Sequence, residues 1–141
     1  MSILSEEMII EYLEEGELEI DPFSEESLQP ASYDLRVSED VEVGQHTLVS
    51  TLEKVNFPED LAGIIRMRST FSREGIYFSG GFVDPGFRGN LTLAVSAQDG
   101  EVKLKRNERI AQMIFLEVKG ETKGYGGSYQ GSSGLVDSKR T

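Results

Sequence analysis

The chain has 141 residues, 15 Gly, 4 Pro, no Cys and no Trp, a length that suits one domain with a genuine core. The missing Cys excludes a disulfide framework, a thiolate metal site and a Cys nucleophile. The formal charge of −11 opposes any role in binding duplex DNA or an anionic membrane, but it leaves room for a small anion held by a local cluster of Arg.

Residues 6–15 read as the one strong helix. Ser5 can cap it, Glu6 and Glu7 suit its positive N-terminal end, and Gly16 suits its stop. Ile9, Tyr12 and Leu13 form an apolar stripe at i, i+3, i+4. Beyond it the chain is short, alternating and punctuated by Gly, Pro, Asn and Asp, the signature of an all-β domain. Strands are predicted over 18–20, 32–37, 41–43, 47–55, 62–68, 75–79, 90–96, 102–105 and 109–118. Within 90–96, Leu91, Leu93 and Val95 alternate with Thr92, Ala94 and Ser96, giving one apolar face and one small or polar face. His46, the single His, follows Gly44-Gln45 in a loop and is given no role. No run approaches the roughly 18 apolar residues of a membrane span. The acidic, amphipathic N-terminus also lacks the basic-then-apolar layout of a signal peptide. A cytoplasmic protein is expected, with neither a membrane nor polymeric nucleic acid as partner.

Cations are concentrated in the second half: residues 1–65 carry 2 basic and 17 acidic side chains, residues 66–141 carry 12 and 8. Arg66, Arg68 and Arg73 share eight residues with Ser69, Thr70 and Ser72. Guanidinium groups chelate phosphate oxygens and hydroxyls add donors, although a solvated strand end would use the same residues. The segment Gly80-Gly81-Phe82-Val83-Asp84-Pro85-Gly86-Phe87 has one acid between glycines that let backbone approach a planar ligand. Asp84 before Pro85-Gly86 equally fits a turn in which the acid only caps local amides. Gln112 shares a row with Ile110, Ile114 and Leu116, where an amide needs partners. From Gly120 the composition is that of a flexible tail, with five Gly between 120 and 131. Tyr125, Tyr129 and Gln130 sit among those glycines and suit an arm that folds over a ligand.

Taken in order, Leu28-Gln29-Pro30-Ala31-Ser32-Tyr33-Asp34-Leu35-Arg36, Arg68-Ser69-Thr70 with Arg73, Val83-Asp84-Pro85-Gly86-Phe87, Arg109-Ile110-Ala111-Gln112 and Tyr129-Gln130-Gly131 resemble the dUTPase/dCTP deaminase superfamily. The resemblance covers nearly the whole chain and is most like archaeal dUTPases built on the deaminase-like scaffold. It implies an all-β, distorted jelly-roll-like β-barrel over 1–119 and a flexible Gly-rich arm, 120–141, that closes over the active site. It also implies a homotrimer with shared active sites, and Mg²⁺ carried by the triphosphate with a water-mediated contact from Asp34.

Carried over position by position, the resemblance makes Asp84 the acid that activates water against the α-phosphate of dUTP, releasing dUMP and pyrophosphate. Arg68, Ser69, Thr70 and Arg73 then contact phosphates, and Phe87 packs beneath the deoxyribose. Ser79, Gly80, Gly81, Phe82 and Val83 read uracil largely through backbone, while Gln112, Tyr129 and Gln130 complete the substrate set. The chain departs from the deaminase pattern where an essential Glu is expected ten residues after Asp84, because Ala94 stands there. Alanine cannot shuttle the protons that deamination requires. Ser128 and Ser132 replace a Lys and a Gln around the Tyr-Gln-Gly motif, and Phe78 stands where many dUTPases carry a uracil-reading Asn. The expected activity is therefore dUTP diphosphatase. A dCTP deaminase, a bifunctional deaminase–dUTPase, and a non-catalytic nucleotide-binding trimer are the alternatives.

Overall fold

The computed structural model describes residues 2–140; Met1 and Thr141, the outer ends of the expected β domain and arm, lie outside them. Helix α1 (Glu6–Glu14) forms where expected: the Ser5 side chain accepts from the Met8 amide at 3.3 Å, and Gly16 leaves the helix at φ +74°. Ile9 is fully buried, with Tyr12 and Leu13 packed against the same core. The strands are β1 (Glu19–Asp21), β2 (Leu28–Gln29), β3 (Ser32–Arg36), β4 (Val41–Val43), β5 (Thr47–Asn56) and β6 (Leu61–Met67). After a short helix α2 (Ser69–Arg73) follow β7 (Ile76–Phe78), β8 (Gly81–Val83), β9 (Arg88–Ala97), β10 (Val102–Leu104) and β11 (Arg109–Glu117).

Two larger sheets enclose the core, one of order β1-β5-β9-β7 and one of order β2-β3-β11-β6-β8, with a small β10-β4 ribbon beside them. All pairings between these strands are antiparallel. The sheets remain open, so the expected barrel is a distorted two-sheet β fold without closure. Alternation supplies the inward rows. In β11 these are Ala111, Met113 and Phe115, all fully buried, with Phe115 stacked on Phe57 at 5.5 Å between ring centres. Burying each such large side chain is worth about 1.5–3 kcal/mol. In the row of Gln112, Ile110 and Leu116 are buried while Gln112 and Ile114 are half-buried, and that partial exposure relieves the cost a fully buried amide would carry.

Three elements depart from expectation besides the short strand β2, which the sequence does not predict. Segment 69–73 is helical, residues 25–27 make a 3-10 turn, and Gly81–Val83 is a strand rather than a loop. Gly81 pairs with Ile65 and Val83 with Gly63, so this glycine-bounded segment forms the edge of the five-stranded sheet.

The four-stranded sheet carries an irregularity. Between Ser50 and Lys54 the β5–β9 register shifts, and side chains satisfy the backbone left unpaired. Asn90 Nδ2 donates to the carbonyls of Thr51 and Glu53, and the Leu91 amide donates to Thr51 Oγ1.

Candidate active site

The turn after β8 is built by Pro85 and Gly86. The Phe87 amide donates to the Asp84 carbonyl at 3.1 Å, and Gly86 adopts φ +81°, which the second turn position requires. The backbone thus closes the turn without help from the Asp84 side chain. That carboxylate is exposed and has no side-chain hydrogen bond or ion pair among the described residues. The reading of Asp84 as a local cap is therefore not realised.

The arm lies over this turn and along β9. Gln130 uses its whole amide on backbone: Oε1 accepts from Arg88 N at 2.7 Å, and Nε2 donates to the carbonyls of Gly86 and Tyr125, both at 2.9 Å. Farther along, Asn90 N donates to Ser132 O, Asn90 Oδ1 accepts from Gly134 N, and Thr92 Oγ1 accepts from Val136 N. The approach is so close that a Cβ on Gly89 would stand 2.6 Å from Ser132 O. Gly89 also sits at φ +139°, which disfavours any side chain. Tyr125 meets the Phe87 ring edge-on at 5.6 Å, so Phe87 is buried beneath the arm.

Between the turn, β9 and the arm lies a cavity of about 540 Å³ lined by Phe82, Val83, Asp84, Phe87, Thr92 and Tyr129, among others. Five expected site residues meet there. Others do not. A second pocket of about 440 Å³ holds Asp34, Arg68, Ser69 and Gln112. A third, of about 300 Å³, holds Arg66, Ser72, Ser79 and Gly80. Thr70 and Arg73 are exposed on α2, and Gln130 sits behind the turn. The reason is the length of β6. Val83 pairs with Gly63, whereas Arg68 follows the far end of that strand, five residues or roughly 16 Å away at the rise of a strand. Asp84 and the Arg68–Ser69 cluster, expected to contact phosphates, therefore line separate pockets.

The pocket around Asp34 is electrostatically knit. Asp34 pairs with Gln112, and Gln112 with Arg66, across three adjacent strands. Asp34 Oδ2 lies 3.4 Å from both Arg68 Nε and Arg109 Nη1. Arg68 Nη1 also donates to the Arg109 carbonyl, and Arg109 Nη1 to that of Glu26. Burial pushes the Asp34 carboxyl above its ordinary range, against the pull of the two guanidiniums. Asp34 in one pocket, and Asp84 and Asp137 in the other, are the carboxylates that line them. Among the described residues no group of three or more His, Asp or Glu is arranged to hold a metal. This donor set fits a Mg²⁺ brought by phosphates and touched through water. A larger groove of about 940 Å³ beside α1 is rimmed by Glu6, Glu14, Glu19, Asp21 and Glu25, a lining that repels a triphosphate.

The family model described as dCTP deaminase-like matches residues 3–45 and 40–118. A dCTP deaminase of Thermococcus kodakarensis is 43% identical over 143 residues, covering 88% of this chain and 92% of that protein. The chain belongs to the dCTP deaminase-like family. It thus falls within the superfamily that its motifs resemble. A second relative, the "dCTP deaminase, dUMP-forming" of a Sulfurihydrogenibium species, is 30% identical over 173 residues, covering 97% of this chain and 96% of that protein.

Solved structures show the same fold. The 2′-deoxycytidine 5′-triphosphate deaminase of Agrobacterium tumefaciens superposes with a TM-score of 0.71 at 17% identity, over 83% of this chain. This chain spans 49% of that one. A dUTPase of Staphylococcus bacteriophage 80alpha gives a TM-score of 0.62 at 18% identity, over 80% of this chain and 97% of that one. Among the described residues, no helix of this family member is long and apolar enough to cross a membrane.

Two features of the site have no signature in the sequence. His46 lines the same cavity as Asp84, because the turn before β5 packs beside β9. Asn90, in the family strand that follows the Asp84 turn, ties the arm to the β5 irregularity. Its position after Gly89 gives no signal, since only the fold brings residues 51, 53 and 134 to it.

Proposed function

We propose that this chain is an enzyme acting on the 5′-triphosphates of deoxycytidine and deoxyuridine, converting dCTP to dUMP by deamination and phosphate cleavage. The relatives' names support dCTP deamination more strongly than the dUTP hydrolysis expected from the motifs, and the dUMP-forming relative supports their combination. The observation that carries the phosphate chemistry is the unpartnered Asp84 carboxylate at a cavity walled by Phe82, Phe87 and Tyr129. Asp84 takes a proton from water, which attacks the α-phosphate and expels pyrophosphate. Mg²⁺ carried by the triphosphate supplies charge neutralisation, alongside Arg68 and Arg73.

The separation of Asp84 from Arg68, Ser69 and Gln112 supports a homotrimer in which one copy's acid faces another copy's phosphate cluster. The arm then covers the nucleotide from the side of Phe87. A second reading, dUTP hydrolysis without deamination, is favoured by Ala94, which offers no proton carrier where the deaminase pattern has Glu.

Incubation of the protein with Mg²⁺ and either dCTP or dUTP, followed by assay of ammonia, pyrophosphate and dUMP, tests both. Ammonia and dUMP from dCTP are expected. Pyrophosphate from dUTP with no ammonia from dCTP would replace the first reading by the second. No turnover of either nucleotide, with binding retained, would make the protein a non-catalytic binder.

A further inference from the structure

Strand β9 has a second neighbouring strand for only part of its length. β7 pairs with residues 95–97 alone, which leaves the first half of β9 open on the side away from β5. The arm fills that gap with a parallel bridge: Gly131 N donates to Arg88 O and Asn90 N to Ser132 O, both at 2.9 Å. Beyond the bridge, side chains continue the ladder. Asn90 Oδ1 accepts from Gly134 N at 2.9 Å, and Thr92 Oγ1 from Val136 N at 3.0 Å. Acceptors and donors both recur at every second residue, so β9 and the arm stay in step. The buried Asn90 amide has one orientation open to it. Both of its N–H bonds serve the carbonyls of Thr51 and Glu53, which leaves Oδ1 for the arm. Past this ledge, Val136, Asp137 and Ser138 form a wall of the cavity that holds Asp84. Lys139 N then donates to the Tyr129 hydroxyl, closing the end of the arm upon itself.

We propose that Asn90 and Thr92 are positioning residues: together they dock the end of the arm, and so set the cavity wall that retains the nucleotide. The docking rests on the hydrogen bonds alone, whereas the nucleotide rests on the proposed function. The polar side-chain atoms of both residues are taken by the arm and by β5, so they act on a bound molecule through residues 136–138. Releasing the end of the arm leaves its root in place. Tyr125 N still donates to Pro85 O, and Gln130 Nε2 to Gly86 O, so the Asp84 turn keeps its cover. The loss therefore falls on KM rather than on kcat.

Amide hydrogen exchange of the full chain by NMR, together with steady-state turnover of dCTP and dUTP, tests this in three variants. Asn90→Ala is expected to speed exchange at Gly134 and Val136 by about tenfold, and to raise KM about tenfold with kcat changed less than about twofold. Thr92→Val keeps the shape of its side chain and should change Val136 exchange and KM by about threefold. Thr51→Val breaks the contacts of Thr51 Oγ1 with Leu91 N and Glu53 O but none with the arm. It should lower the melting temperature and leave arm exchange and KM as in wild type. If Thr51→Val frees the arm as far as Asn90→Ala does, loosening of β5 suffices and the ledge is overturned. Wild-type exchange at Gly134 and Val136 in both β9 variants would overturn it as well; should Asn90→Ala fail to fold, Thr92→Val decides alone. A freed arm with unchanged KM would overturn the role in retention. Wild type that turns over neither nucleotide would instead overturn the proposed function, and with it retention, while the exchange rates still decide the docking.

Discussion

Glu53 and Asp84 are both carboxylates beside β9, and the chain treats them in opposite ways. Glu53 is fully buried: Oε1 accepts from Arg36 N at 2.9 Å, and Oε2 from Arg36 Nε at 2.7 Å. Burial pushes its carboxyl up while Arg36 pulls it down, and burial wins. Its own carbonyl accepts from Thr51 and Asn90, so the knot also fills the break in the β5–β9 register. Asp84 has no such partner, and a turn made wholly by backbone presents it to a cavity. A buried charge with every bond made holds strands together; an exposed one left open beside aromatic walls is available to a substrate. Position in the sequence does not distinguish them. The count of hydrogen bonds does.

The contrast is broken most severely at Asp84. Asp84→Asn is expected to lower pyrophosphate release by about 10²–10⁴, with stability within about 0.5 kcal/mol of wild type and nucleotide binding retained. Turnover assays and urea titration check both halves. Loss of binding, or a large drop in stability, would mean that Asp84 is structural. Glu53→Gln should show the reverse: about 3–5 kcal/mol of stability lost, and normal turnover per folded molecule. A loss under about 1 kcal/mol would show that Arg36 is satisfied by its contact with the Pro22 carbonyl at 2.6 Å.

These contrasts also explain what the sequence discloses. Helix α1 and the major strands are legible because capping at Ser5 and alternation such as Leu91-Leu93-Val95 are local signals. Strand β8 is not, since Gly80-Gly81 reads as a loop until β6 offers an edge to pair with. Asp84 is legible as a site residue only through its motif. Its freedom follows from a turn closed by backbone alone, whereas the commitment of Gln130 to the backbone of Gly86 and Arg88 depends on residues more than forty positions away. The arm shows the same limit. Its glycines suggest a solvating tail, yet Gly86 and Gly89 on the opposite surface are shaped to receive it. His46 carries no signal because a lone His in a loop has no pattern. What brings it to the cavity of Asp84 is the register that sets Leu48 against Ala94.

Asp34 stands between the two extremes, buried like Glu53 yet set in a pocket like Asp84, and its titration shows which character dominates. Its carboxyl is raised chiefly by burial, with Arg68 and Arg109 opposing. A raised native pKa means that the folded chain holds this proton more firmly than the unfolded one. Asp34 therefore contributes its full stability below the unfolded value of about 4, and that contribution is lost as pH rises through the native titration. Asp34→Asn removes the titration. The melting-temperature difference, wild type minus variant, should fall as pH rises from about 4 and level off once Asp34 is ionised. A difference that rises over the same range would mean that the two guanidiniums outweigh burial. The pocket would then be organised around a permanent ion pair, leaving Arg68 less free for phosphate.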